Sequence, residues 1–239
     1  MSDGNHSDAA RHFTRRGSLR QGLSSFQADG LFTDLTINCT NGKEHKVHKI
    51  VVCSQSKFFH NACKPDSPFK EAQTGVIELE DDPDFVGTMI SYFYNGDYVV
   101  QQDAGYNRRT YRLPEAVNKV FFHAKCYVIA EKYEFHAMQQ YALDEVEECF
   151  KLGKIWTEPE AYPELIRYAY ENTHNSDRGL RAVLLGICQR YLPGLMMNKA
   201  FVDTMDSIDG FWRELLCCQT KIPQDLPNLY LPHMINWSQ

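Results

Sequence analysis

The clearest alternation of hydrophobic and polar positions in this chain lies between Phe32 and Phe59. Apolar side chains at Leu35, Ile37 and Cys39 alternate there with polar ones. A period of two is typical of a strand with one face in a core and the other in water. The pattern therefore predicts that a half-buried strand opens this region.

A hairpin and a buried segment are expected to follow that strand. Asn41-Gly42 favours the positive-φ turn of a hairpin, and Glu44 to His48 is the expected return strand. The apolar run from Ile50 to Cys53 is predicted to be buried as a whole. A polar break separates this run from Phe58-Phe59, so the hairpin is predicted to lead into two short helices.

A third strand and a longer helix come next. Ile77 and Leu79 indicate the strand. Asp82 can cap a helix whose first residue is Pro83, where the missing N–H costs no hydrogen bond, and Gly96 is its natural stop. The apolar face predicted for this helix consists of Phe85, Val86, Met89, Ile90 and Phe93.

Helical periodicity continues from residue 114 onwards. Two packed helices are predicted up to residue 150, with apolar positions at Val117, Val120, Phe121, Ala124 and Val128, and at Met138, Tyr141, Ala142, Val146, Cys149 and Phe150. Further helices are indicated by a capping box at Thr157 and Glu160, by the apolar period that starts at Leu180, and by the segment from Phe211 to Leu216. The apolar positions of the second of these are Leu180, Val183, Leu184, Ile187 and Tyr191.

Three other segments show weaker patterns. Residues 1–16 are polar and aperiodic, which is typical of a disordered lead. Leu19, Leu23 and Phe26 recur at i, i+4 and i+7 and predict one amphipathic helix. Val100 to Arg112 has no apolar period and is predicted to be a surface insertion, whereas Pro223 to Pro232 is predicted to run as an extended tail over the surface.

The order and spacing of these elements resemble the BTB/POZ domain family, over about residues 30–150. The resemblance rests on Asp34-Leu35-Thr36-Ile37, Val47-His48-Lys49, Val76 to Leu79 with Asp81-Asp82-Pro83, Phe93 to Tyr98 and Tyr127 to Tyr133. The layout is most similar to fungal members. The resemblance implies an α+β class, the BTB/POZ fold with a small β-sheet flanked by α-helices, followed by an α-helical C-terminal extension. We predict a lead over 1–16, a BTB/POZ domain with its N-terminal helix over 17–150, the helical extension over 151–222 and the tail over 223–239.

Composition narrows the classes of function. With 239 residues, of which 43% are hydrophobic, the chain can bury a sizeable core. A net charge of −6, with the charged residues scattered, provides no basic surface for nucleic acid. The eight cysteines lie mostly in apolar segments, which favours a reducing compartment, and no segment resembles a signal peptide or a membrane span. We therefore expect a cytoplasmic or nuclear protein that binds neither nucleic acid nor membranes.

One group of residues has the composition of a zinc site. His45, His48, Cys53, His60 and Cys63 include His-x-x-His and His-x-x-Cys pairs. However, two histidines three apart on a strand point to opposite faces, and Cys53 belongs to an apolar run. We therefore expect no metal here and interpret His48 as a structural histidine that bonds the hairpin or the helix after it.

No pattern in the chain indicates catalysis. A nucleophile elbow, a glycine-rich phosphate loop, a dinucleotide fingerprint and an HExxH helix are all missing from the sequence. Asp81 and Asp82 could be read as paired carboxylates, but acidic groups at a helix start are better explained by capping. We expect no catalytic residue and no cofactor, and a non-enzymatic protein-interaction module.

The resemblance also implies candidate partners. In BTB proteins that act as adaptors for cullin-RING ubiquitin ligases, a hydrophobic-x-Glu motif in the loop before the third strand inserts into the cullin. Phe69-Lys70-Glu71 stands at that place. An aromatic anchor brings a large apolar area with few torsions to freeze. The alternative is that Phe69 folds back under its own loop.

A second implied partner is another copy of the chain. In the family an N-terminal helix commonly joins a dimer interface, which would place Leu19, Leu23 and Phe26 there; alternatively, the three pack on their own domain. The leading hypothesis is a cullin substrate adaptor, and the other is a homodimeric scaffold in transcriptional or signalling regulation. Because Kelch repeats are missing from the sequence, an adaptor of this kind would hold its substrate through the C-terminal helices, the insertion or a separate partner.

Overall fold

A computed structural model describes residues 19–65, 68–98, 115–151 and 160–217 of the chain. The strands in these ranges are β1 (Leu35–Cys39), β2 (Glu44–Val47) and β3 (Val76–Leu79). The helices are α1 (Leu19–Ala28), α2 (Lys49–Cys53), α3 (Lys57–Cys63), α4 (Lys70–Thr74), α5 (Pro83–Asn95), α6 (Glu115–Lys132), α7 (His136–Lys151), α8 (Ala161–Asn172), α9 (Leu180–Leu195), α10 (Lys199–Ser207) and α11 (Phe211–Cys217). The predicted lead, insertion and tail, and Thr157 of the capping box, lie outside the described residues.

The chain divides into two compact units. The first contains the sheet and α1 to α5, together with Tyr133–Phe135. The second contains α6 to α11. A small three-stranded sheet with helices before, between and after its strands, followed by a helical second unit, is consistent with the α+β class and confirms the predicted fold class.

The sheet of the first unit has the strand order β2-β1-β3. β1 runs antiparallel to β2, with Leu35 opposite Val47, and parallel to β3, with Ile37 opposite Ile77. The predicted alternation along β1 is confirmed, because its odd-numbered residues are buried and the others are partly exposed. The predicted hairpin turn is confirmed as well, with Gly42 at a φ of 80°.

The segment after the hairpin differs from the prediction in two ways. The return strand ends at Val47, and His48 becomes the N-cap of α2. The run from Ile50 to Cys53 is not buried as a whole, because Ile50 is 75% exposed whereas Val51 and Val52 are buried. The physical reason is that successive residues of a helix point about 100° apart, so a short helix cannot bury four consecutive side chains on one face.

α5 agrees closely with its predicted signals. The Asp82 carboxylate accepts a hydrogen bond from the Asp84 N–H at 2.9 Å, and Pro83 occupies the first turn. Gly96 ends the helix in the left-handed conformation with a φ of 71°, which glycine adopts without steric cost. All five predicted apolar positions of this helix are buried.

Aromatic rings build the core of the first unit around Tyr133–Phe135. The Phe93 and Phe135 rings stack with centroids 4.1 Å apart, and Phe59 stacks on Tyr133 at 5.8 Å. The Ser56 hydroxyl donates a hydrogen bond of 2.6 Å to the Tyr133 carbonyl. This short segment therefore belongs to the core of the first unit although it lies far from it along the chain.

The first helix of the second unit buries a different face from the one predicted. Val120 and Ala124 are buried as expected, but Phe121 and Val128 are only partly buried. His123 and Tyr127 are buried in their place, because the core-facing stripe follows i, i+3, i+7 from Val120 and passes through a polar residue that a purely apolar count skips. In α7 all predicted positions except Tyr141 are buried.

The remaining helices of the second unit were predicted in part. α9 and α11 are confirmed, whereas α10 was not predicted. Its signal is Asn198, whose side chain caps the helix by accepting from the Phe201 N–H at 3.3 Å. Glu160 is the N-cap of α8 and not its third residue, so the helix begins at Ala161, later than the capping box implied.

Candidate protein-interaction site

The sequence suggested that the residues predicted to contact a cullin lie in a loop. In the structure they lie at the start of α4. Phe69 is the N-cap of this helix in an extended conformation, and Lys70 is its first residue. The segment is helical because Lys, Glu, Ala and Gln favour helix and Gly75 supplies the left-handed stop, at a φ of 66°. The Gly75 carbonyl accepts from the Thr36 N–H at 2.9 Å, which connects α4 to the sheet.

The side chains of this motif differ in exposure. Phe69 is 54% exposed, so about half of the residue faces solvent. Lys70 is exposed and Glu71 is half-buried. Burial is the main reason that the pKa of the Cys63 thiol is raised, and the charge of Glu71 adds to that increase, so Glu71 lies near the end of α3. The motif thus combines a half-exposed aromatic residue with a half-buried carboxylate.

The residues predicted for a dimer interface lie on α1. None of the ten residues of this helix is buried. Leu19 is 81% exposed, while Leu23 and Phe26 are half-buried. The Phe26 ring meets that of Phe32 edge to face, with centroids 5.3 Å apart. Leu19 is therefore largely uncovered, whereas Leu23 and Phe26 are partly covered.

Polar contacts hold α1 against the end of α5. An Arg20 guanidinium nitrogen donates to the Asn95 carbonyl at 2.5 Å, and the Ser24 hydroxyl donates to the Asn95 side-chain oxygen at 3.1 Å. A positive charge at a helix C-terminus also interacts favourably with the helix dipole. A side chain at Gly96 would overlap the Arg20 guanidinium, so the glycine that ends α5 also makes room for α1.

Three further exposed apolar residues extend the surface of the first unit, and no sequence pattern indicated the exposure of two of them. Leu31 and Phe32 form the turn after α1, where Phe32 adopts a positive φ of 58°. Ile50 lies on α2. The position of Phe32 had no sequence signal, because a phenylalanine is rarely expected in the left-handed region. Ile50 could have been found by applying the helical period to α2.

His48 is a structural histidine, as predicted, although with other partners. Its Nε2 lies 2.9 Å from the Leu31 carbonyl oxygen and its Nδ1 lies 2.8 Å from the Tyr94 hydroxyl. A carbonyl can only accept, so Nε2 carries a proton, and in that tautomer Nδ1 accepts from the Tyr94 hydroxyl. The His48 backbone N–H in turn donates to the Tyr94 oxygen at 2.9 Å. These bonds fix the turn that carries Leu31 and Phe32.

Two of the five candidate zinc ligands, His48 and Cys53, are engaged in other interactions. Both ring nitrogens of His48 are occupied, and burial raises the pKa of the Cys53 thiol to about 12. The Cys53 thiol also donates a hydrogen bond to the Phe59 carbonyl at 3.4 Å. Within the described ranges, no group of three or more histidine, cysteine, aspartate or glutamate side chains has an arrangement that could hold a metal ion.

None of the helices in the described ranges is long and apolar enough to span a bilayer.

Comparison with protein families identifies the first part of the chain. Residues 23–131 match the family model described as BTB/POZ domain. The chain contains a BTB/POZ domain. The match begins within α1 and ends within α6, so it includes Phe69-Lys70-Glu71, the sheet and His48. A BTB/POZ domain is a protein-interaction module.

Two individual proteins are similar to this one. Kelch-like protein 31 of Danio rerio is 35% identical over 80 residues, which are 33% of this chain and 12% of that protein. The chain thus matches only a small part of that relative. The BTB domain of zebrafish PATZ1 aligns at 12% identity and a TM-score of 0.40, over 54% of this chain and 89% of that domain. At this score the structural likeness adds nothing to the assignment made from the family model.

Proposed function

We propose that this BTB/POZ protein is a substrate adaptor of a cullin-RING ubiquitin ligase and that α4 carries its cullin-binding anchor. The observation that supports the proposal is the exposure of Phe69, 54% of whose side chain faces solvent. Aromatic side chains that are exposed in the unbound state and can enter a pocket of the partner are the commonest energetic anchors of interfaces. Phe69 lies at the start of a short helix whose C-cap, Gly75, is hydrogen-bonded to the sheet.

The neighbouring carboxylate, Glu71, would orient the bound partner relative to Phe69. Glu71 lies in the first turn of α4 and is half-buried near Cys63. A carboxylate that is already half-buried loses less side-chain entropy than a fully exposed one when it pairs with a donor on the partner. Phe69 would therefore supply most of the affinity, and Glu71 would supply orientation and specificity.

A homodimeric scaffold is the second candidate function, and the exposure of α1 favours it. A helix with no buried residue and with Leu19 81% exposed leaves an apolar face available. A second copy of the chain could cover this face through a two-fold contact, in which each α1 meets the other. The two functions are compatible, because α1 and α4 lie on different segments of the first unit.

Binding of a purified cullin N-terminal region to the purified full chain tests the proposal. Light scattering after size exclusion gives the mass of each species, and a titration gives the dissociation constant. An adaptor forms a stoichiometric complex with the cullin, and an adaptor that is also a dimer forms a complex with two copies of each protein. If the chain is a dimer that binds no member of a cullin panel, the scaffold replaces the adaptor as its function.

A further inference from the structure

The second unit has an exposed apolar surface that its described helices leave uncovered. α9 ends at Leu195, and the next two residues, Met196 and Met197, are exposed, Met197 at 74%. Leu216, at the end of α11, is 84% exposed. We name Met196, Met197 and Leu216 the methionine surface. Large apolar side chains in such numbers at two adjacent helix ends are unusual unless something covers them.

The two parts of the methionine surface belong to neighbouring helices. The Gln189 side-chain amide donates to the Leu215 carbonyl at 2.7 Å, so the end of α11 lies beside α9. Leu195, the last residue of α9, follows Gln189 by six positions, which corresponds to about 9 Å along the helix axis, and Met196 and Met197 come directly after it. A single extended segment can therefore contact both parts at once.

We propose that residues 218–239, which follow α11 directly, cover the methionine surface of their own chain. This segment contains Leu226, Leu229, Leu231 and Trp237 and has few charged residues, so it offers apolar side chains without charge repulsion. It starts next to Leu216, and a chain of 20 residues can extend over about 70 Å. Methionine side chains adapt their shape to an irregular apolar partner.

Covalent attachment favours this occupant over a second copy of the chain. A segment joined to the surface by a few residues is present at an effective concentration in the millimolar range, far above that of a second copy at micromolar protein. Its docking would make the C-terminal residues part of the helical unit, so that the unit ends in an ordered cover over α9 and α11. The same surface becomes accessible to other partners only when the segment is displaced.

Methionine oxidation of the full-length protein by dilute hydrogen peroxide tests the proposal, with each sulfoxide quantified by peptide mass spectrometry. Peroxide transfers one oxygen atom to the thioether and leaves water, and exposed methionines react first. The reference residues are Met138 and Met205, which are buried in the same unit. The altered chain carries Leu229→Asp and Leu231→Asp. The matched control carries Gln224→Asp and Asn228→Asp, which add the same charge at polar positions of the same segment.

Under the proposal, Met197 in the wild type and in the control oxidises nearly as slowly as the buried methionines. In the Leu229→Asp/Leu231→Asp chain it oxidises about tenfold faster, which corresponds to a docking free energy of about 1.4 kcal/mol. Rapid oxidation of Met197 in the wild type overturns the proposal. Slow oxidation in all three proteins also overturns it, and protection that disappears on dilution then identifies a second copy as the cover.

Discussion

His48 and Tyr94 are joined by two hydrogen bonds, one to the ring and one to the backbone of the histidine. The Tyr94 hydroxyl donates to Nδ1 at 2.8 Å and accepts from the His48 N–H at 2.9 Å. Through Nε2 the same ring holds the Leu31 carbonyl. One buried pair thus connects α5, the start of α2 and the turn after α1, which are the elements that shape the exposed apolar surface of the first unit.

Replacing Tyr94 with phenylalanine is expected to destabilise the protein by about 1–3 kcal/mol, because two buried polar groups of His48 lose their partner at once. Denaturant unfolding measures the change. The slope of the transition should remain the same, since the core is otherwise intact. A loss below about 0.5 kcal/mol, comparable to an ordinary surface substitution, would show that these bonds contribute little.

The sequence predicted those parts of the first unit in which local signals agree with the fold. β1 follows its apolar alternation, Gly42 supplies the expected turn, and α5 begins and ends at the predicted cap and stop. In each case the residue type favours the local backbone conformation that the fold requires, so the sequence alone is sufficient to predict the element.

Residues whose position depends on tertiary contacts were not predictable in the same way. His123 is buried in α6 where an apolar residue was expected, and Phe32 has a positive φ. The partners of His48 come from positions 17 and 46 residues away along the chain. The exposure of Phe69 depends equally on the packing around α4, because a sequence pattern does not distinguish a buried ring in a short segment from an exposed one.

Chelation tests the interpretation of the histidines and cysteines in the first unit. We expect the melting temperature to be the same with and without EDTA and the purified protein to contain no stoichiometric zinc. The reason is that His48 uses both ring nitrogens within the fold and the pKa of Cys53 is raised to about 12. A large drop in melting temperature with chelator, as structural zinc sites show, would overturn this interpretation.

His123 is expected to make the second unit sensitive to acid. Burial, with a contribution from Lys119, lowers the pKa of His123 to about 4, from an ordinary value of about 6.5. Glu145, 3.5 Å from Nε2, opposes this shift but also faces Lys119 at 3.7 Å. Because the unfolded chain binds the proton more tightly, stability present above pH 6.5 is lost as pH falls towards 4, by about 2 kcal/mol at pH 5.

The measurement is urea unfolding at pH 7.5 and pH 5, for the wild type and for His123→Leu. The pH-dependent loss of stability should shrink in the variant by about 2 kcal/mol, whatever the variant does to stability at pH 7.5. An equal loss in both proteins would assign the acid sensitivity to other groups.

The α1 surface predicts a change in oligomeric state. Leu23→Asp combined with Phe26→Asp should convert a dimer to a monomer and leave the domain folded, because no residue of α1 is buried. Ser25→Asp adds a charge to an exposed position of the same helix and serves as the control. Sedimentation or light scattering at micromolar concentration measures the mass. A wild type that is already monomeric at that concentration would remove the dimer hypothesis.

The most direct test of the adaptor function is the cullin affinity of Phe69→Ala compared with Ile50→Ala. Both replace an exposed apolar side chain of the first unit, but only Phe69 lies at the start of α4. We predict that Phe69→Ala weakens binding by about 2 kcal/mol or more, near thirtyfold in Kd, with a smaller loss for Glu71→Ala, almost none for Ile50→Ala and stability unchanged in all three. Equal affinities for the wild type and Phe69→Ala, or a loss of several kcal/mol in the stability of Phe69→Ala, would contradict the account.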